Sequence, residues 1–144
     1  LTYASTVVAI AGTCAAAVID ARTGYIPDRI SGAAACVAFA VAAGTGTFVA
    51  AAAGAATVAG SLLALFALTR GRGLGFGDVK LGVTIGAGYG AGAGMFALAA
   101  AFVSGALFAA CLLASGRRRL KDALPFAPFL AAGTIAAALR AAAP

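Results

Sequence analysis

The sequence predicts an all-α, polytopic integral membrane bundle of about six transmembrane helices with both termini outside the cytoplasm, and three observations carry that expectation. Of 144 residues, 63% are hydrophobic and 10% charged, with no His and no Trp; the mean hydropathy is +1.06. Ten basic and four acidic side chains are too few to clothe a soluble fold of this length. The apolar residues also fall in runs close to the roughly 17 to 25 residues that cross a bilayer core. The net charge of +6 lies in short clusters between those runs, a placement that suits membrane loops and gives no face for nucleic acid.

The runs cover 1–19, 30–43, 48–68, 79–96, 97–115 and 124–142. The first lacks the basic flank of a secretory signal and leads into a charged motif, so it is expected to be a span of the mature protein. The second is short and calls for the Gly44–Thr47 turn or a smaller tilt. The third is uninterrupted. The fourth and fifth merge through Gly88-Tyr89-Gly90-Ala91-Gly92-Ala93-Gly94, where a glycine-rich reversal is expected. The sixth follows a basic loop and opens on Pro125 and Pro128. Ala, Gly and Val dominate over Leu, which favours a tight bundle whose backbones approach through small residues. The whole of 1–144 reads as a single transmembrane domain.

Arg22 and Arg29 follow the first run, Arg70, Arg72 and Lys80 lie between the third and fourth, and Arg117, Arg118, Arg119 and Lys121 between the fifth and sixth. With six spans these loops share one side, and only Arg140 falls opposite. The positive-inside rule makes the shared side cytoplasmic. The Arg117–Arg119 cluster reads first as a topology anchor and a contact for anionic lipid.

All four acids, Asp20, Asp28, Asp78 and Asp122, also fall on that side. Carboxylates bordering apolar spans are costly and call for a purpose. Asp20 closes the first span, and Asp78 heads the fourth behind Gly75-Phe76-Gly77. A pair of carboxylates sharing a site can divide acid and base roles, because like charges a few Å apart do not both ionise cheaply. Gly75 and Gly77 leave room for an extended backbone beside Asp78, and Phe76 can line its approach. Ile26-Pro27 closes an extended connection before the second helix, which Asp28 is expected to cap. Asp122 reads as a solvated charge. Cys14, Cys36 and Cys111 stand singly in apolar runs and read as small packing residues. With no His and no CxxC pair, no metal and no cofactor is implied.

These motifs resemble a known family. The stretch Asp20-Ala21-Arg22-Thr23-Gly24-Tyr25-Ile26-Pro27-Asp28 is similar to the first aspartate motif of bacterial type IV prepilin peptidases. Gly75-Phe76-Gly77-Asp78-Val79-Lys80-Leu81 is similar to their Gly-x-Gly-Asp-x-Lys-Leu motif, and Pro125-Phe126-Ala127-Pro128-Phe129-Leu130 to the segment opening their last span. The resemblance implies an aspartic-type endopeptidase of the inner membrane that removes the short basic leader of a prepilin or pseudopilin at the cytoplasmic face, in type IV pilus assembly or protein secretion. It makes Asp20 and Asp78 the catalytic pair. Arg22, Pro27, Lys80, Pro125 and Pro128 become supporting residues, and Gly75, Phe76 and Gly77 contacts for substrate. Longer members carry a zinc-binding insertion between the first two spans. Here about ten residues separate them, so the chain looks like the short peptidases of tight-adherence pilus systems, and N-methylation is not implied.

Two plainer readings stand beside this one. Asp20 could pair with Arg22 or Arg29 as an ordinary interfacial charge, and two carboxylates could load protons in a small proton-coupled transporter. A transporter would want an acid nearer the bilayer midplane than any of these four.

Overall fold

The computed structural model describes residues 3–115 and 125–143. It contains α1 (Tyr3–Thr23), α2 (Asp28–Gly44), α3 (Phe48–Leu68), α4 (Phe76–Ala114) and α5 (Ala127–Ala142), with no strand among the described residues. By length and composition α1, α3 and α4 can each cross a membrane, and α5 is a shorter apolar helix. The Arg117–Arg119 cluster, Lys121, Asp122 and the expected start of the sixth run at Leu124 lie outside the described residues.

Helix α4 shows how composition sets the path of the chain. Its 39 residues would make a rod of about 58 Å, nearly twice the roughly 30 Å of a hydrocarbon core. It is not a rod. Gly90 adopts φ 74° and ψ −178°, a backbone state that side chains with a Cβ rarely occupy, and there the chain turns back. A Cβ placed on Gly94 would lie 3.6 Å from the Gly86 Cα and 3.8 Å from the Ile85 carbonyl oxygen. Eight residues along one helix would instead separate such atoms by about 12 Å. The reversal therefore falls at Gly90, within the predicted glycine stretch but earlier than the expected 96/97 boundary, because only a residue free to take positive φ can make the turn.

Helix α3 packs most extensively against this hairpin. Gly54 and Gly86 touch backbone to backbone, each occupying the space where the other's Cβ would have to stand. Around that contact Val58, Leu62, Leu81 and Ile85 are fully buried. Such small-residue contacts supply the dispersion that holds helices together when lipid is as apolar as the core. Val7, Val49, Leu63, Val103, Leu107 and Leu139 point outward and exposed, as a lipid-facing surface requires. Cys14 packs partly against the main core. Cys36 and Cys111, by contrast, are exposed; their faces of α2 and α4 look outward, which corrects the expectation that all three cysteines pack internally.

Helices α1 and α5 run antiparallel in a register fixed by two polar contacts. Thr13 Oγ1 and Thr134 Oγ1 lie 3.1 Å apart in the buried interior, and the Ala127 amide reaches the Asp20 carboxylate at 3.3 Å. Seven residues, two helical turns, separate these contacts along each helix, so both contacts belong to one pairing of the same two faces. The Tyr89 hydroxyl adds a third element by donating to the Thr134 carbonyl at 2.6 Å. Interhelical bonds of this kind contribute on average about 0.6 kcal/mol in membranes. Thr13→Val is accordingly expected to lower stability in detergent by less than about 1 kcal/mol. Thr134→Val should cost no more, because Tyr89 bonds the backbone there and keeps its partner. A calorimetric or denaturant titration of the two variants and their combination checks this.

Candidate functional site

Asp20 sits in the last turn of α1, where the carbonyl end of the helix disfavours an anion. Helix α5 compensates. Ala127 is its first residue, so its N–H has no carbonyl one turn back to bond, and it donates to Asp20 Oδ2. Pro125 and Pro128 frame that opening, and Pro128, within the first turn of α5, has no N–H of its own. Asp78 lies in the first turn of α4, where an acid is favoured. Its Oδ2 accepts the Gly75 amide at 3.1 Å, and its own N–H returns to the Gly75 carbonyl at 3.1 Å. Each carboxylate is thus held by a backbone amide at the start of a helix, one from its own chain segment and one from across the bundle.

Both side chains are buried, Asp20 to 7% exposure and Asp78 to 5%, and both line the same two cavities. One, about 270 Å³, is completed by Gly24, Gly75, Pro125 and Phe126. The other, about 280 Å³, adds Tyr25, Asp28, Phe76 and Lys80. Residues 58 positions apart along the chain therefore border the same two cavities, each with room for more than one water. Asp78 Oδ1 is buried with no hydrogen-bond partner among the described residues, an oxygen whose bonding capacity the fold itself does not use. No ion pair reaches Asp20 among the described residues, so the plain pairing of Asp20 with Arg22 or Arg29 is absent there.

The two glycines before Asp78 have different jobs. A Cβ on Gly75 would stand 3.3 Å from Asp78 Oδ2, whereas one on Gly77 would meet Ile26 at 3.0 Å. Gly75 keeps the carboxylate approachable. Gly77 chiefly lets α4 seat against buried Ile26, although it also borders the second cavity. Phe76 is half exposed, with its ring edge against Phe66 at 5.7 Å between centroids. Arg22 is exposed and lines neither shared cavity. Pro27 is also outside them and sets the extended entry to α2, with ψ 131°.

Asp28 corrects one expectation. It makes no cap bond to α2, whose cap position is Pro27; as the first helical residue its side chain instead pairs with Lys80 of α4, whose ammonium also lies over the Phe76 ring at 5.2 Å. Proline at the cap position pushes Asp28 into the first turn, where an acid still favours the helix dipole. Both partners are partly exposed, 34% and 66%, so the pair contributes at most about 1 kcal/mol. Asp28→Asn and Lys80→Met should each destabilise slightly and non-additively, whereas a cap at Asp28 would lose the same amount whatever stands at 80. A double-mutant cycle on thermal midpoints distinguishes the two.

Two participants fell inside the Pro125–Leu130 motif without being singled out there, the Ala127 amide and Phe126, which lines cavities with both Asp78 and Asp20; the Phe102 to Ala109 stretch of α4 had no advance signal. Nothing in the apolar run 97–115 distinguishes its inward face.

Fold and site together define a helical protein with membrane-spanning character and a buried pair of carboxylates at one end of its bundle. The chain belongs to the type IV leader peptidase family, whose pattern matches residues 7–110, a stretch that includes both carboxylates; membership implies a protease. Among curated proteins and among solved structures, none matches the chain.

Proposed function

We propose that the chain is a membrane aspartyl endopeptidase that removes the basic leader of a prepilin or pseudopilin at the cytoplasmic face, acting as a single domain of six crossings with α4 contributing two. The observation that carries the reading is the shared border of Asp20 and Asp78 on two cavities in a chain of this family. In the proposed reaction the ionised carboxylate takes a proton from water as its oxygen attacks the scissile carbonyl carbon. The other, protonated, carboxyl gives its proton to the carbonyl oxygen. Collapse of the tetrahedral diol breaks the C–N bond: the departing amine takes the proton that the first carboxyl removed from water, and a diol hydroxyl returns its proton to the second carboxylate. Gly75 and Phe76 flank the peptide.

The distribution of basic residues supports the orientation. Arg22, Arg29, Arg70, Arg72 and Lys80 belong to the connections and helix ends around the carboxylates, while Arg140 packs on the Phe96 ring at 4.5 Å and borders Gly92 and Ala93 beside the Gly90 reversal, at the other end. By the positive-inside rule the carboxylate end faces the cytoplasm of a bacterial inner membrane. The test is co-expression with a candidate prepilin carrying an epitope tag, read as a gel shift and by mass spectrometry of the new N-terminus. Failure of the wild-type protein to shorten any prepilin of its own genome would sink the proposal.

A further inference from the structure

Far from the carboxylates, at the end of the bundle that holds the Gly90 reversal, a groove of about 410 Å³ opens between the start of the returning arm of α4 (Gly92, Ala93, Phe96) and the last turns of α5 (Ala137, Arg140, Ala141). Four of its six lining residues are glycine or alanine, so the two helices meet there without filling the gap, and a Cβ added to Gly92 would touch nothing within 4 Å. The volume is that of a small-molecule site. Its one charged group is Arg140, whose guanidinium rests over the Phe96 ring, 4.5 Å from the centroid. The ring contact orients the guanidinium without using its N–H donors. Among the described residues no carboxylate and no hydrogen-bond acceptor reaches those donors. The described acids, Asp20, Asp28 and Asp78, stand together at the opposite end.

We infer that this groove binds the headgroup of an anionic phospholipid, with Arg140 on the phosphate and the lipid glycerol against Gly92, Ala93 and Ala137. The lipid belongs to the leaflet at that end of the bundle, which is periplasmic in the orientation proposed above. Charge complementarity selects the phosphate: a planar cation with free donors, set in an otherwise apolar groove, matches a phosphodiester in bidentate fashion. It also selects against a zwitterionic headgroup. No described acid is there to receive a headgroup ammonium, and the Phe96 face that would attract one is already covered by Arg140. The small apolar walls suit the remainder of an amphiphile. Met95, Ile135 and Leu139, exposed on the same two helical segments, continue the apolar surface along which acyl chains run, and a free anion would leave that surface unused. Peptide cleavage plays no part in the binding, so the site stands or falls separately from the peptidase reading.

The experiment uses the full chain in detergent with substoichiometric phosphatidylglycerol that carries a photoreactive group at the glycerol end of one acyl chain, followed by digestion and mass spectrometry of the labelled peptides. Labelling is expected on residues 92–96 and 137–141 above the level on the outward face of α3, which reads unspecific contact. Unlabelled phosphatidylglycerol should displace the label at about fivefold lower concentration than phosphatidylethanolamine, the effect of one arginine at an anionic headgroup. Inorganic phosphate should not displace it. Arg140→Gln should lower labelling of the two peptides relative to α3 by about fivefold. Gly92→Leu, which keeps the charge and fills the groove, should lower it as much, with both variants eluting like wild type on size exclusion. Equal displacement by the two lipids overturns the anionic headgroup, and displacement by inorganic phosphate overturns the lipid. Labelling within twofold of wild type in Arg140→Gln overturns the assignment to Arg140. Loss in Arg140→Gln alone, with Gly92→Leu within twofold of wild type, makes Arg140 an open surface charge and overturns the groove.

Discussion

Asp78→Asn and Asp20→Asn should each reduce leader cleavage by about a hundred- to ten-thousandfold, the range that a positioned acid or base supplies, while leaving the protein folded in the membrane. The expectation of intact folding comes from the hydrogen bonds. An asparagine side-chain oxygen can still accept the Gly75 amide at position 78 and the Ala127 amide at position 20, the contacts that each carboxylate now makes through Oδ2. What an amide cannot do is take a proton from water or hand one to a carbonyl oxygen. Ala at the same positions is a different experiment, because Asp78→Ala also leaves the Gly75 amide without its acceptor and should weaken the start of α4 by about 1 kcal/mol. The measurement is a gel-shift time course with tagged prepilin, alongside size-exclusion and circular dichroism profiles of each variant. Cleavage by Asp20→Asn at the wild-type rate would remove Asp20 from the mechanism and leave Asp78 a lone acid.

How much of this was legible in the sequence depends on the kind of signal each feature leaves. The apolar runs announced the helices, since a bilayer imposes length and composition on any segment that crosses it. The charges around Asp20 and Asp78 stood out for the same reason: in so apolar a chain each acid is conspicuous. Boundaries were less legible. Helix α1 runs on past Ile19 to Thr23 and carries Asp20 inside its last turn, because Asp20 is stabilised by Ala127, more than a hundred residues further on, and no local rule anticipates that. The exchange of Asp28 from a cap to the partner of Lys80 has the same origin, a tertiary contact overriding a local preference. The cleft that Asp78 shares with Phe102, Gly105 and Phe126 was illegible because Phe102 and Gly105 sit in a run that is apolar on every side, and only the reversal at Gly90 decides which of its residues turn toward Asp78. Gly77 was read as making room for substrate, yet its nearest constraint is Ile26, a packing demand that sequence spacing does not separate from a catalytic one.

The same reversal makes Gly86 the position where substitution should do most damage to the fold. Gly86 lies in the first arm of α4, four residues before the turn, and any Cβ there would overlap the Gly54 carbonyl and approach the Ala55 amide nitrogen to 2.5 Å. These are backbone atoms, which cannot rotate away as a side chain tip can, so α3 must move bodily outward. Movement of α3 would strip contacts from Val58 and Leu62, which are fully buried now, and would loosen the packing of Gly94 on Val58 in the returning arm. Overpacking typically costs about 1–3 kcal/mol, and exposing two large core side chains adds a comparable amount where lipid does not refill the gap. Gly86→Leu is therefore expected to leave little folded protein, seen as aggregation on detergent extraction and rapid proteolysis in cells. Gly92→Leu provides the contrast, since a Cβ at Gly92 would meet nothing within 4 Å and the residue faces outward near the same turn. If Gly86→Leu accumulates and extracts as well as Gly92→Leu, then α3 and the α4 hairpin do not approach as closely as the Gly54–Gly86 contact requires. The sharing of one cleft by Asp78 and Phe102 would lose its support with it, since α3 packs on both arms of the hairpin that carries them, at Gly86 and at Gly94.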